Sequence, residues 1–230
     1  MAVTEEYFAS RPLASEAAAQ RVAAAIQRTL VGAPEAAIVA TGGSTPEDCY
    51  RSLADTALSW DKVSVMLSDE RCVPPTHEAS NEGLLRRSLA TGRAVNAKIV
   101  SIYDPALPLE EQCGAVMQKL NRLPLPFSIS LLGMGADGHF ASLFADCDQL
   151  EEGLDPDGGL RCMLVRTAAS PHPRITLTMA ALLQSDEVLL FFFGDTKRKI
   201  YELARLPGSR LPVSQLLHQQ HTPVHVIWAR

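Results

Sequence analysis

Short apolar runs of strand length recur along this chain, and most are followed by a stretch of helical character. The runs are Ala36 to Thr41, Val63 to Leu67, Lys98 to Ile102, Phe127 to Leu132, Cys162 to Arg166, Glu187 to Phe193 and Pro223 to Trp228. Most lack the alternation of a strand with one wet face, so they read as strands covered on both sides. Between them lie helical stretches: the alanine-rich Ser15 to Val31, with Ser15 as N-cap; one from about Pro46; one from near Ser80; the proline-bounded Leu109 to Leu123; Ile175 to Leu183; and Thr196 to Leu206. This alternation specifies the α/β class. The expectation is a single Rossmann-like, three-layer domain over residues 1–230, its sheet mainly parallel with helices on both faces. A chain of 230 residues, 47% hydrophobic, can bury one core of that size. The acidic segment Asp146 to Gly159 reads as a surface loop, and the charged Ser68 to Thr76 as a loop after a strand.

Composition excludes several classes of function. Net charge is −5 with no basic stripe, so no nucleic-acid partner is expected. The longest apolar run, Val188 to Phe193, is far too short to span a bilayer, and no membrane partner is expected. The N-terminal Met-Ala-Val-Thr-Glu-Glu shows no basic and then apolar signal pattern. The five cysteines are scattered and never spaced C-x-x-C, as in reduced thiols of a cytoplasmic protein. The six histidines form no i, i+4 pair around a carboxylate, so no metal is expected. There is no Gly-x-Ser-x-Gly elbow of an α/β-hydrolase.

Five segments carry chemistry. The run Phe127 to Leu132 leads into Gly133-Met134-Gly135-Ala136-Asp137-Gly138-His139, with three glycines in six residues before an imidazole. Glycines let backbone N–H groups approach a ligand, and the strand's carboxyl end is where open α/β sheets bind ligands. His139 is a candidate general base. Thr41-Gly42-Gly43-Ser44-Thr45-Pro46 joins a strand to a helix, with Pro46 suited to N1 and Ser44 or Thr45 to the cap. Its free N–H groups suit an anion, although it is neither a dinucleotide fingerprint nor a P-loop. In Ser68-Asp69-Glu70-Arg71, Arg71 can fork onto a phosphate and Asp69 can orient an imidazole or a water. Ser170-Pro171-His172-Pro173-Arg174 is stiff and precedes the expected helix at Ile175, so His172 and Arg174 can meet an anion there. Lys197, in a first helical turn, opposes the macrodipole unless an anion is near.

Together these segments resemble the glucosamine-6-phosphate isomerase/6-phosphogluconolactonase superfamily, on its lactonase side. The resemblance rests on Gly42-Gly43-Ser44-Thr45-Pro46, Asp69-Glu70-Arg71-Cys72-Val73-Pro74, Ser80-Asn81-Glu82, Gly133 through Phe144, and Arg174-Ile175-Thr176-Leu177-Thr178, in the family's order. The continuation Ala141-Ser142-Leu143-Phe144 is that of the lactonases; the sister deaminases continue with an Asn-Glu-Pro segment. The resemblance implies hydrolysis of a small sugar-phosphate lactone, 6-phospho-D-glucono-1,5-lactone, by a metal-independent cytoplasmic enzyme with no cofactor. Monomer or weak homodimer is the expected assembly. It further implies His139 as catalytic base, Arg71 as a substrate contact, and Gly42, Gly43, Ser44, Thr45 and Gly135 lining the substrate. Asp69 and Asp137 remain alternative partners for His139. Many members carry a Lys-Pro-Pro segment where this chain has the shorter Pro171-His172-Pro173-Arg174. His172, Arg174 and Lys197 are therefore the candidates for the phosphate. A sugar-phosphate isomerase or a non-catalytic sugar-phosphate sensor are the competing readings.

Overall fold

The computed structural model describes residues 3–230. In chain order the strands and helices are β1 (Thr4–Phe8), α1 (Arg11–Gly32), β2 (Ala36–Ala40), α2 (Glu47–Ala54), β3 (Val63–Leu67), β4 (Asp69–Arg71), α3 (Asn81–Ser88), β5 (Lys98–Val100), α4 (Leu109–Leu120), β6 (Ile129–Leu132), α5 (Leu150–Leu154), β7 (Cys162–Val165), β8 (Arg174–Leu177), α6 (Met179–Leu182), β9 (Val188–Phe193), α7 (Asp195–Ala204), α8 (Pro212–His218) and β10 (Val224–Ala229). Seven strands form one parallel sheet in the order β1-β10-β9-β6-β2-β3-β5. β4, β8 and β7 form a separate antiparallel sheet. The buried apolar side chains, among them every residue of β2, make one connected core.

The strand order decides where a ligand can sit. From β1 to β2, β3 and β5 the chain steps one way across the sheet. From β5 back through β6, β9 and β10 it steps the other way. Right-handed crossovers then place the helices of the first half on one face and those of the second half on the other. In keeping with this, α1 packs on α2 and α2 on α3, whereas α4 packs on β7 and α7 on α8. The reversal falls between the neighbours β2 and β6, whose carboxyl ends open a crevice at the topological switch point.

Several expected elements differ. β1 is an extra strand, and its Thr-Glu-Glu-Tyr-Phe is exposed along most of its length. It is an edge strand paired only with β10, so it carries no apolar signature. α1 starts at Arg11, with Ser10 at the N-cap position and proline in the first turn; Ser15 lies inside the helix and is buried. Pro46 takes the N-cap position rather than N1, and neither Ser44 nor Thr45 caps α2 through its side chain. The charged loop after β3 contains β4, and the acidic excursion contains the short α5. The largest correction concerns Ile175 to Leu183. Its first part is β8, and only Met179–Leu182 is helical, capped by Thr178. Arg-Ile-Thr-Leu alternates, and its β-branched residues pair well with β4 and β7. Arg174 therefore stands in a strand, not at a helix entrance.

Candidate active site

A cleft of about 240 Å³ opens at the switch point. Gly42, Gly43, Ser44 and Thr45 line it from the end of β2, and Gly133, Met134, Gly135 and His139 from the end of β6. Asp69 and Arg71 enter from β4, Arg174 from β8, and Lys197 from the first turn of α7. Residues drawn from five separate segments thus meet in one place.

The first wall is held from below. The Tyr50 hydroxyl, on α2, donates to the Thr41 carbonyl (2.7 Å) and accepts from the Thr41 N–H (2.9 Å), and the ring is fully buried. Beyond that anchor, the N–H groups of Gly43, Ser44 and Thr45 make no hydrogen bond to another described residue. They are free donors at the mouth of a helix. At Gly42 a Cβ would fall 2.0 Å from the Asn81 amide oxygen, so only glycine lets the loop lie this close to α3.

The second wall carries the imidazole. Gly135 N–H donates to the His139 carbonyl (2.9 Å) and Gly138 N–H to the Gly135 carbonyl (3.1 Å), closing a tight loop. The loop brings Asp137 Oδ1 to 2.5 Å from His139 Nδ1, and the same oxygen accepts from the His139 N–H at 3.3 Å. The imidazole stacks on Phe144 with ring centroids 4.1 Å apart. A Cβ at Gly135 would sit 2.2 Å from the His139 ring, which is why the loop needs glycine there. α8 buttresses the loop through Val213 N–H donating to the Gly138 carbonyl (2.9 Å). Ala141, in the cleft wall, has φ 49, a left-handed backbone rarely adopted by a residue with a Cβ.

The third wall is cationic. β4 pairs β8 in a register that sets Arg71 directly opposite Arg174, and both face the cleft. Two like charges opposed across strands are unfavourable unless an anion joins them. Both keep a buried Nε with no partner among the described residues. Arg71 Nη1 donates to the Ala79 carbonyl (2.7 Å). Arg174 lies over the Phe144 ring and reaches Ser142 Oγ (3.4 Å) and Asp69 Oδ2 (3.5 Å) through Nη1. Burial pulls the Arg174 pKa down and Asp69 pulls it back up. Lys197 is half-buried; burial pulls its ammonium below the ordinary lysine range, with Asp137 acting in the opposite sense.

Position separates two pairs of candidates. Asp69 lines the cleft, but its carboxylate takes the hydroxyls of Ser68 (2.9 Å) and Ser142 (2.6 Å) besides Arg174. The carboxylate on the imidazole is Asp137. His172 is not a wall of the cleft: its ring stands edge-on to His77, centroids 5.3 Å apart. Its neighbour Arg174 enters the cleft because strand alternation and the β4 pairing turn it inward. Sequence reasoning missed Tyr50 and α8, which carry no local signal, and it quoted Ser142 in a motif without giving it a place in the site.

Residues 10–228 match the family of glucosamine-6-phosphate isomerases/6-phosphogluconolactonase. The chain belongs to this family. Within it, the chain is 36% identical to a 6-phosphogluconolactonase of Mesorhizobium japonicum over 222 residues, covering 96% of this chain and 93% of that protein. It is 36% identical to one of Caulobacter vibrioides over 226 residues, covering 97% and 96%. The crystal structure of a 6-phosphogluconolactonase from Shewanella baltica superposes with a TM-score of 0.94 at 31% identity, over 99% of this chain and 98% of that one. A monomeric glucosamine-6-phosphate deaminase shares the family fold with a TM-score of 0.78 at 20% identity. Among the described residues no helix is long and apolar enough to cross a membrane.

Proposed function

We propose that this chain hydrolyses 6-phospho-D-glucono-1,5-lactone to 6-phospho-D-gluconate, the lactone-opening step of the oxidative pentose phosphate pathway. The observation that carries the reading is the pairing of Arg71 with Arg174 across β4 and β8, facing a cleft that also holds His139 and Lys197. Three cations and the free N–H groups of Gly43 to Thr45 favour a dianionic phosphate in an otherwise acidic protein. The relatives named 6-phosphogluconolactonase, similar along nearly the whole chain, support the same substrate.

The chemistry follows from one imidazole. Asp137 on Nδ1 fixes the tautomer in which Nδ1 carries the proton, which leaves the Nε2 lone pair as the base. His139 takes a proton from water as the oxygen attacks the lactone carbonyl. The remaining N–H groups of the glycine loop meet the oxyanion. The imidazolium, stabilised by Asp137, returns the proton to the ring oxygen as the C–O bond breaks. Asp69 acts at one remove, holding Arg174 and Ser142 in the wall.

The test is a direct assay on freshly generated 6-phosphogluconolactone, corrected for spontaneous hydrolysis, with gluconolactone and glucosamine-6-phosphate alongside. Rapid turnover of the phosphorylated lactone, a far lower kcat/KM on gluconolactone and none on the amino sugar are expected. Equal efficiency on both lactones would remove the phosphate assignment, and turnover of the amino sugar alone would favour the isomerase reading.

A further inference from the structure

β4 is three residues long and alternates. Asp69 and Arg71 face the cleft, while Glu70 between them points into the protein and is 1% exposed. Its carboxylate has four donors. Oε1 accepts from the N–H groups of Arg71 (2.7 Å) and Asn81 (2.8 Å); Oε2 accepts from the Ser80 hydroxyl (2.9 Å) and the Glu82 N–H (2.7 Å). The four fill the lone-pair positions of an ionised carboxylate. Among the described residues it makes no salt bridge, although Arg174 feels its charge; burial raises its pKa and the donors only partly offset that. Part of this is helix capping: the carboxylate takes the first two N–H groups of α3, those of Asn81 and Glu82, while Ser80 Oγ takes that of Gly83 at 3.0 Å. Capping does not account for the remaining backbone donor, the Arg71 N–H, which the same carboxylate also holds.

What the carboxylate joins is more telling. It ties β4 to residues 79–82, and the Ala79 carbonyl of that segment grips the Arg71 guanidinium at 2.7 Å. Asn81, held by the same carboxylate, donates through Nδ2 to the Asp69 carbonyl (2.8 Å) and so closes the clamp on β4 from its other end. We propose that Glu70 is a positioning residue that sets the Arg71 guanidinium in the cleft by locking β4 to the Ala79–Glu82 turn. This rests on the reading of Arg71 as a contact to the substrate phosphate. With Glu70 clamped, the Arg71 backbone and the carbonyl that orients its side chain move as one body. Without it, the guanidinium samples other positions, and binding of the phosphate suffers more than the chemical step.

The experiment is a double-mutant cycle on the full chain, with steady-state kinetics on both lactones and thermal melting as a folding check. Glu70→Gln keeps the volume but turns one acceptor into a donor facing two donors. It is expected to raise KM for the phosphorylated lactone about tenfold, as lost charge-assisted hydrogen bonds do. Its kcat should stay within about threefold, and gluconolactone turnover should be nearly unaffected. In an Arg71→Ala background the same change should add less than about twofold, because its route of action is already gone. If Glu70→Gln multiplies the Arg71→Ala loss in full, or lowers kcat alone, Glu70 is only structural and the inference fails. If Arg71→Ala itself leaves KM unchanged, the substrate role of Arg71 fails first, visible in the single variant, and the positioning role falls with it. Should Glu70→Gln not fold, Ser80→Ala removes one of the four donors. It is expected to give a smaller KM rise that vanishes in the Arg71→Ala background; no rise, or an equal rise in both, overturns the inference.

Discussion

Two side chains carry the proposed chemistry of the cleft. His139 offers one nitrogen to Asp137 and the other to the cavity, and Asp137 spends its Oδ1 on both the ring and the backbone of the same residue. Replacing His139 by Asn keeps a polar side chain of similar reach but removes the base. Turnover of the phosphorylated lactone is expected to fall ~10²–10⁴-fold with an unchanged melting temperature; retained turnover within about threefold would take His139 out of the mechanism. Lys197 is expected to set an alkaline limit on phosphate binding. Its pKa is lowered by burial, so as pH rises the charge is lost before that of an ordinary lysine. Affinity for the stable product, 6-phosphogluconate, measured calorimetrically, should weaken as pH rises through the alkaline range below the ordinary lysine value. Lys197→Met should flatten that dependence; an equally steep loss in the variant refutes the assignment. By linkage the unfolded chain holds this proton more tightly, so the group itself makes stability rise with pH over the same window.

At the scale of elements, the site depends on supports that lie behind its walls. α2 supplies Tyr50, whose hydroxyl satisfies both backbone groups of Thr41 where β2 gives way to the Gly42–Thr45 loop. Tyr50→Phe leaves a buried N–H and a buried C=O unpaired. A loss of about 1–3 kcal/mol of stability is expected, measured by chemical denaturation. KM for the phosphorylated lactone should rise as the loop loosens, and stability within about 0.5 kcal/mol of the parent would show the loop anchored elsewhere. β4 and β8 supply the other support. Their antiparallel pairing lies outside the main sheet and brings Arg71 and Arg174 face to face.

For the molecule as a whole, the first strand closes one edge of the main sheet. β1 joins the sheet only at β10, and polar contacts around the buried His225 link the two. His225 Nδ1 meets Thr4 Oγ1 at 2.5 Å and its Nε2 lies 2.7 Å from Glu6 Oε1. Burial lowers the His225 pKa, Arg21 adds to that, and Glu6 and Glu187 oppose it. A histidine with a lowered folded pKa is protonated more readily in the unfolded chain. Its contribution to stability is therefore present above about pH 6.5 and lost as pH falls through that value. The melting temperature should drop between pH 7 and pH 5, and His225→Gln should reduce that drop. An identical pH slope in the variant would mean that other groups govern the acid limb.

The α/β class and the two loops at the switch point were legible in the sequence because both are local. Strand-length apolar runs such as Ala36–Ala40 and Val188–Phe193 announce burial on both faces, and glycines between Leu132 and His139 announce close backbone approach. The polar edge strand β1 carried no such signal. Nor did α8, whose role is to hold Gly138 from behind. Arg-Ile-Thr-Leu was misread as a helix start, since short segments compatible with either state are decided by their partners, here β4 and β7. For the same reason the sequence leaves Asp69 and Asp137 as alternatives, although its residue chemistry favours Arg174 over His172 for the phosphate. Only the folded loop shows that Asp137 reaches the imidazole, and only the β4–β8 register turns Arg174 into the cleft while His172 stays outside it. Residue types and backbone propensities are properties of the chain. Asp137 meets the imidazole across two residues only because the glycine loop folds back on itself, and Asp69 meets Arg174 across 105 residues; both contacts are set by the folded arrangement.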